Sequence, residues 1–295
     1  MFKARLVFVH GRAQQGKSED ELKEEWLAAL RPALGTRQSI LDDVEIKAPF
    51  YGNRLAELVD SLGAAAPDDI IVRGDPASIA DDYRAFMGEY LEAIRRGEGI
   101  SDEQVDAEAN IPVTERGPQN WPWVLAIIRT LDRIPGLDGD MIERILRDVW
   151  IYLERRTVRD DINEIVSPAF DTKLPVVCVA HSLGTVVAFD ILKARTDGRV
   201  PNLLTLGSPL GLNIVRKALA PIGHPKVVGN WFNARDKRDV VALYPLTPEH
   251  FDIDPTVNDY SAVRNRTANA HGISGYLSDP TTVDAIYNAL RQAKA

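Results

Sequence analysis

VVCVAHSLGTVVAFDIL, residues 176–192, changes character midway. Up to Ala180 it is a continuous apolar, β-branched run, the pattern of a strand buried on both faces of a parallel sheet. From Leu183 it reads as an apolar helix, extending to about residue 195. Between the two lie Ala180, His181, Ser182, Leu183 and Gly184. Small residues on either side of a serine let strand and helix approach each other closely around a strained turn. Such a turn lifts the Ser182 hydroxyl at the C-terminal edge of the sheet. The N–H of Leu183, at the start of the helix, then points where negative charge on an oxygen would develop.

Working outward, strand and helix patterns alternate at both ends of the chain. Residues 4–9 and 44–50 read as strands around a helix at 18–34, whose apolar positions are Leu22, Trp26, Leu27, Leu30 and Leu34. After the serine turn come a strand at 202–207, a helix at 212–220, a strand at 226–234, a strand within 249–258 and a helix at 280–293. This alternation predicts an α/β fold, a mostly parallel sheet with helices on both faces. Residues 53–139 carry helical patterns and glycine-marked loops with little strand character. They are read as a helical insertion, a cap or lid, between core segments 1–52 and 140–295.

The 295 residues suffice for a large core with an insertion. A net charge of −8 argues against a nucleic-acid or anionic-membrane surface, since both demand clustered cations. The single cysteine, Cys178, lies in an apolar run and reads as a buried structural thiol. No apolar run approaches the roughly 20 residues of a spanning helix, so no stable membrane insertion is expected. The first residues pass straight into a strand pattern rather than a secretion signal, which makes a cytoplasmic location the expectation. His, Asp and Glu do not cluster at metal-ligand spacing, and no cofactor or metal is implied.

The opening segment LVFVHGRAQQGKSEDEL, residues 6–22, poses an alternative. Residues 11–18 spell G-x-x-x-x-G-K-S, the pattern of a phosphate-binding loop. A second strand ending in aspartate should complete such a site, yet the best buried strand ends in His181 and Ser182. Ser18 and Glu21 also match a helix capping box. Acidic Glu19, Asp20 and Glu21 suit the helix dipole but would repel a triphosphate. The capping box is the preferred reading and leaves Lys17 facing solvent.

With its A-H-S-L-G turn, the chain resembles the α/β-hydrolase superfamily, above all its lipase- and esterase-like members. The resemblance covers about residues 4–52 and 140–295. It implies that Ser182 is the nucleophile of an acyl-transfer reaction. His10 and Gly11 resemble the family's H-G oxyanion loop, so the implied oxyanion donors are the N–H groups of Arg12 and Leu183; His10 itself reads as a structural histidine. Of five histidines, His271 lies in the loop before the last helix, where the family places its base. The acid falls in the turn after the strand at 226–234. Asp239, in a D-V-V sequence resembling the family's D-x-V turn, is preferred, with Asp236 the alternative. LGSPLGL, residues 206–212, is also lipase-like, and Ser208 there reads as a strand-end loop residue.

The implied activity is hydrolysis of a carboxylic ester or related acyl bond, with a small-molecule or lipid-like substrate. Residues 120–134, NWPWVLAIIRTLDRI, are the most apolar part of the insertion and read as a cap packed on the core or a segment over the site mouth. Two other readings are carried: a nucleotide-binding protein using residues 11–18, and a hydrolase-like binding protein without turnover.

Overall fold

The computed structural model describes residues 2–12, 14–63, 81–109, 117–118, 120–134, 139–267 and 270–295. The chain divides into two compact units, Met1–Leu55 with Arg156–Ala295, and Ala56–Arg155. The division falls after Leu55 and after Arg155, so the helix within 139–155 belongs to the smaller unit rather than to the core segment expected from residue 140.

The larger unit holds a six-stranded sheet of β1 (Ala4–Val9), β2 (Val44–Lys47), β3 (Val176–His181), β4 (Val200–Leu206), β5 (Val228–Ala234) and β6 (Asn258–Tyr260). The order is β2-β1-β3-β4-β5-β6, and every pairing is parallel. The central strand β3 is buried at all six positions, which explains its unbroken apolar run. Alternation along the strands assigns the faces. Leu6, Phe8, Val177, Val179, Leu204 and Leu206 join one core with Trp26, Leu27 and Leu30 of α1 (Glu19–Leu34) and Val283, Ile286 and Leu290 of the C-terminal helix Pro280–Lys294. On the other face, Phe189 of the helix Leu183–Ala194 packs against Trp231 of β5, with ring centroids 5.5 Å apart. The sheet therefore carries helices on both faces.

Helix α1 shows how closely local chemistry is followed. Ser18 caps it, the Ser18 side chain accepts from Glu21 N, and Glu21 returns to Ser18 N at 2.7 Å. Its buried residues are Leu22, Trp26, Leu27, Leu30 and Leu34, the apolar positions of the sequence. Gly35 ends it at φ 56°, a conformation that glycine tolerates best.

Helix α2 (Gly52–Gly63) leads into the smaller unit, which contains α3 (Asp81–Gly97), α4 (Asp102–Ala109), α5 (Trp121–Leu131) and α6 (Gly139–Glu154). No strand occurs there among the described residues. Helix α5 contacts α3, α4 and α6, and both its tryptophans are buried. Within this unit Tyr83 donates to Glu143 at 2.7 Å. The larger unit resumes with α7 (Arg156–Val166), followed by α8 (Leu183–Ala194), α9 (Asn213–Ala218), α10 (Ile273–Leu277) and α11 (Pro280–Lys294).

Three sequence expectations need correction. The second strand stops at Lys47 rather than residue 50, and the helix at 212–220 shrinks to α9. The strand expected within 249–258 is instead β6, beginning at Asn258. Pro245, Pro248 and Pro255 interrupt hydrogen bonding before it. Phe251, whose burial imitates a strand signal, plugs the core against Phe189 and Trp231, with centroids 5.8 and 5.5 Å away. Among the described residues, no helix is long and apolar enough to cross a membrane.

Candidate active site

Ser182 stands at the junction of β3 and α8, at the C-terminal edge of the sheet. Its backbone adopts φ 54°, ψ −129°, a conformation that costs a non-glycine residue on the order of 1–3 kcal/mol. The neighbours enforce it. Ser182 N donates to Leu206 O at 3.1 Å, and Thr185 donates to Ser182 O from both its amide (2.9 Å) and its hydroxyl (2.7 Å). Gly184 is required here, because a Cβ would lie 2.3 Å from Val9 O and 2.4 Å from His10 O.

The His271 Nε2 atom lies 2.9 Å from Ser182 Oγ, and its Nδ1 lies 2.8 Å from Asp239 Oδ2 and 3.0 Å from Oδ1. All three side chains are buried. With the proton on Nδ1, His271 donates to the carboxylate and its Nε2 accepts from the serine hydroxyl. This tautomer orients a base toward Ser182 while a buried anion faces the other edge of the ring. Burial acts to raise the Asp239 pKa, but the His271 ring, its hydrogen bond and the Tyr276 hydroxyl outweigh burial and hold the carboxyl below its usual range. The amides of Val241 (3.0 Å) and Ala242 (3.3 Å) also donate to Asp239 Oδ1.

Between Asp239 and Asp236, the geometry separates what the sequence left open. Asp236 is engaged by other partners, accepting from Arg238 N at 2.9 Å, Arg238 Nη2 at 2.6 Å and Asn265 N at 2.7 Å. It ties the turn after β5 to the segment leading to His271. Asp239 is the carboxylate on the imidazole.

His181 is a participant that sequence reading passed over. Its Nε2–H donates to the backbone carbonyl of His271 at 2.7 Å. Burial, aided by the nearby His271, drops its pKa to about 3, so the ring is neutral. Ala270, just before His271, has φ 55°, and the clamp lies on the residue after it. Tyr276 was likewise absent from the sequence-level site. Its hydroxyl donates to Asp239 Oδ2 at 2.6 Å. Gly207, at φ 59°, makes room for this cluster: a Cβ there would come within 3.0 Å of Asp239 Oδ2 and 3.1 Å of the Tyr276 ring.

Gly11 brings the opening loop against the serine, since a Cβ on it would meet Ser182 Cβ at 2.7 Å. Arg12 follows directly. Leu183 is the first residue of α8, so its N–H has no partner within the helix. His10 is engaged at both ring nitrogens: Nδ1–H donates to Gly11 O at 2.6 Å and Nε2 accepts from Tyr51 N at 3.1 Å. Burial lowers its pKa to about 4, which keeps it neutral.

Within residues 14–18, polar groups are engaged by neighbouring groups of the protein itself. Gly16 N donates to Asn53 Oδ1 at 2.7 Å and Lys17 N to Gln14 O at 3.2 Å. The Lys17 ammonium does not simply face solvent. It pairs with Glu25 and donates to Gln14 Oε1 at 2.9 Å. Cys178 is buried in β3, and burial pushes its thiol pKa up. Ser208 is a loop residue as expected, its hydroxyl accepting from Leu210 N at 3.2 Å and sharing a 2.8 Å bond with Thr185. Among the described residues, no group of three His, Cys, Asp or Glu side chains is placed to hold a metal ion.

No family model matches the chain, and no curated protein is significantly similar to it.

Proposed function

We propose that the protein is a serine hydrolase of the α/β-hydrolase type that cleaves a carboxylic ester or related acyl bond. The observation that carries this reading is the buried chain Ser182–His271–Asp239, with contacts of 2.9 and 2.8 Å. A serine hydroxyl, a base and an orienting acid in hydrogen-bond reach are what nucleophilic acyl transfer needs. The strained turn at Ser182 and the parallel sheet beneath it add support.

In this mechanism Ser182 Oγ attacks the acyl carbon while its proton passes to His271 Nε2. The carbonyl π pair moves onto oxygen, and the N–H groups of Arg12 and Leu183 stabilise that oxyanion. Asp239 stabilises the imidazolium and keeps its proton on Nδ1. The oxyanion collapses, the alcohol departs with the proton from His271, and an acyl-serine remains. Water, deprotonated by the same imidazole, then attacks the acyl carbon; the second oxyanion collapses, the bond to Oγ breaks, the carboxylic acid leaves, and Oγ takes back the proton from His271.

The engagement of Lys17 and Ser18 within the fold favours a capped helix over a phosphate site. A cytoplasmic setting belongs to this proposal; the single buried cysteine, Cys178, suits a reducing compartment. The test is hydrolysis of p-nitrophenyl esters of increasing chain length. Turnover that disappears in Ser182→Ala supports the proposal, and its chain-length optimum defines the acyl pocket. Absence of turnover on every ester in the series argues against it.

A further inference from the structure

We propose that Tyr276 is a positioning residue that shares the Asp239 carboxylate with His271 and sets its orientation and charge. The inference rests on the hydrolase reading and goes beyond the three residues it invokes. Tyr276 lies on α10, five residues after His271, so one short segment presents both donors to the acid. The phenol donates to Asp239 Oδ2 at 2.6 Å and accepts from Asp236 N at 3.2 Å. His271 Nδ1 lies nearest the same Oδ2, at 2.8 Å, and 3.0 Å from Oδ1, which also accepts from the Val241 and Ala242 amides. The carboxylate is thus anchored at Oδ1 by backbone amides, and its Oδ2 is shared by the phenol and the nearer contact of the imidazole.

Removing the phenol therefore has an electrostatic consequence as well as a steric one. Oδ2 would be left to His271 alone, with its negative charge less dispersed, which favours the imidazolium. The other ionisable groups around the pair are fixed in place. His181 is neutral, Asp236 is bound by Arg238, and the Arg235 guanidinium donates to Ala242 O and Ser261 Oγ. The phenol itself is buried and stays protonated. A tyrosine serving only as core packing would present its ring to the same neighbours, and its loss of oxygen would leave the acid–base pair unchanged.

Tyr276→Phe keeps the ring and deletes the hydroxyl. The expected result is a fall in kcat on the order of tenfold with little change in KM, since a hydrogen bond to a charged group is involved. The acid limb of kcat/KM against pH should move to higher pH. Independently of turnover, the downfield proton NMR signal of His271 Nδ1–H should move further downfield. Replacing Tyr276 by 3-fluorotyrosine, a stronger donor of nearly the same shape, should move signal and limb the opposite way, and serves if the phenylalanine variant fails to fold. An unchanged resonance and a superimposable pH profile in either folded variant would overturn the role. If the wild type hydrolyses nothing, the hydrolase reading fails, while the resonance still decides the role of Tyr276.

Discussion

Gly11 and Ser182 approach so closely that a single added carbon on Gly11 would sit 2.7 Å from Ser182 Cβ and 3.3 Å from its Oγ. The loop after β1 and the turn after β3 are therefore built as one surface. Gly11→Ala must displace either the serine or the loop holding Arg12. Overpacking of this kind costs about 1–3 kcal/mol, and ester turnover should fall far more than the melting temperature alone explains. Gly223→Ala is the control, because a Cβ there meets nothing within 4 Å. Equal activity of the two variants would remove the loop from the site.

The two aspartates after β5 should separate cleanly. Asp239→Asn deprives His271 of its anion and inverts the preferred tautomer, so kcat should drop by a factor on the order of 10³–10⁴. Asp236→Asn weakens contacts to Arg238 and Asn265 and should act mainly on stability. Steady-state kinetics and thermal melts of both variants check this. A larger kcat loss in Asp236→Asn would mean that the acid is misassigned.

Two neutral buried histidines give a signed pH dependence. Burial lowers His10 to about 4 and His181 to about 3, against about 6.5 in an unfolded chain. Their contribution to stability is fully present above pH 6.5. It is lost as pH falls toward those folded values, because the unfolded chain binds the protons first. The loss approaches about 1.4 kcal/mol per pH unit for each histidine. Denaturant melts between pH 7 and 4 should be less steeply pH-dependent in His10→Gln than in the wild type, even if its stability at pH 7 is lower. Parallel curves would contradict the assignment.

For the opening loop, Ser18→Ala removes a cap and should cost about 0.5–2 kcal/mol. Lys17→Ala breaks an exposed pair with Glu25 and should change stability by about 1 kcal/mol or less. Magnesium-ATP should leave the wild-type melting temperature where it is. A concentration-dependent rise that Lys17→Ala abolishes would restore the phosphate-loop reading.

Much of the architecture was legible because burial writes itself into composition. β3 reads as a strand because both faces are covered, and α1 reads as a helix because its buried positions repeat at helical spacing. β6 was misplaced because Phe251 is buried without belonging to a strand. Within the site, Ser182 announced itself through the small residues its turn requires. His271 was placed by its position in the chain and by resemblance. Asp239 and Asp236 share one turn, and only the path of the backbone decides which faces the imidazole. Tyr276 carries no signal of its own on a segment too short for helical periodicity, and His181 is absorbed into the turn motif. Their roles depend on which atoms meet across the end of the sheet, a relation with no local pattern.

The central claim is that Ser182 is a nucleophile activated by His271. Its most direct test is the rate of labelling by a fluorophosphonate, read by intact mass and peptide mapping. The account predicts one adduct per chain, on Ser182, formed rapidly in the wild type, slowed strongly in His271→Ala and absent in a folded Ser182→Ala. Labelling that persists unchanged in Ser182→Ala, or a folded wild type that takes up no label, would contradict it.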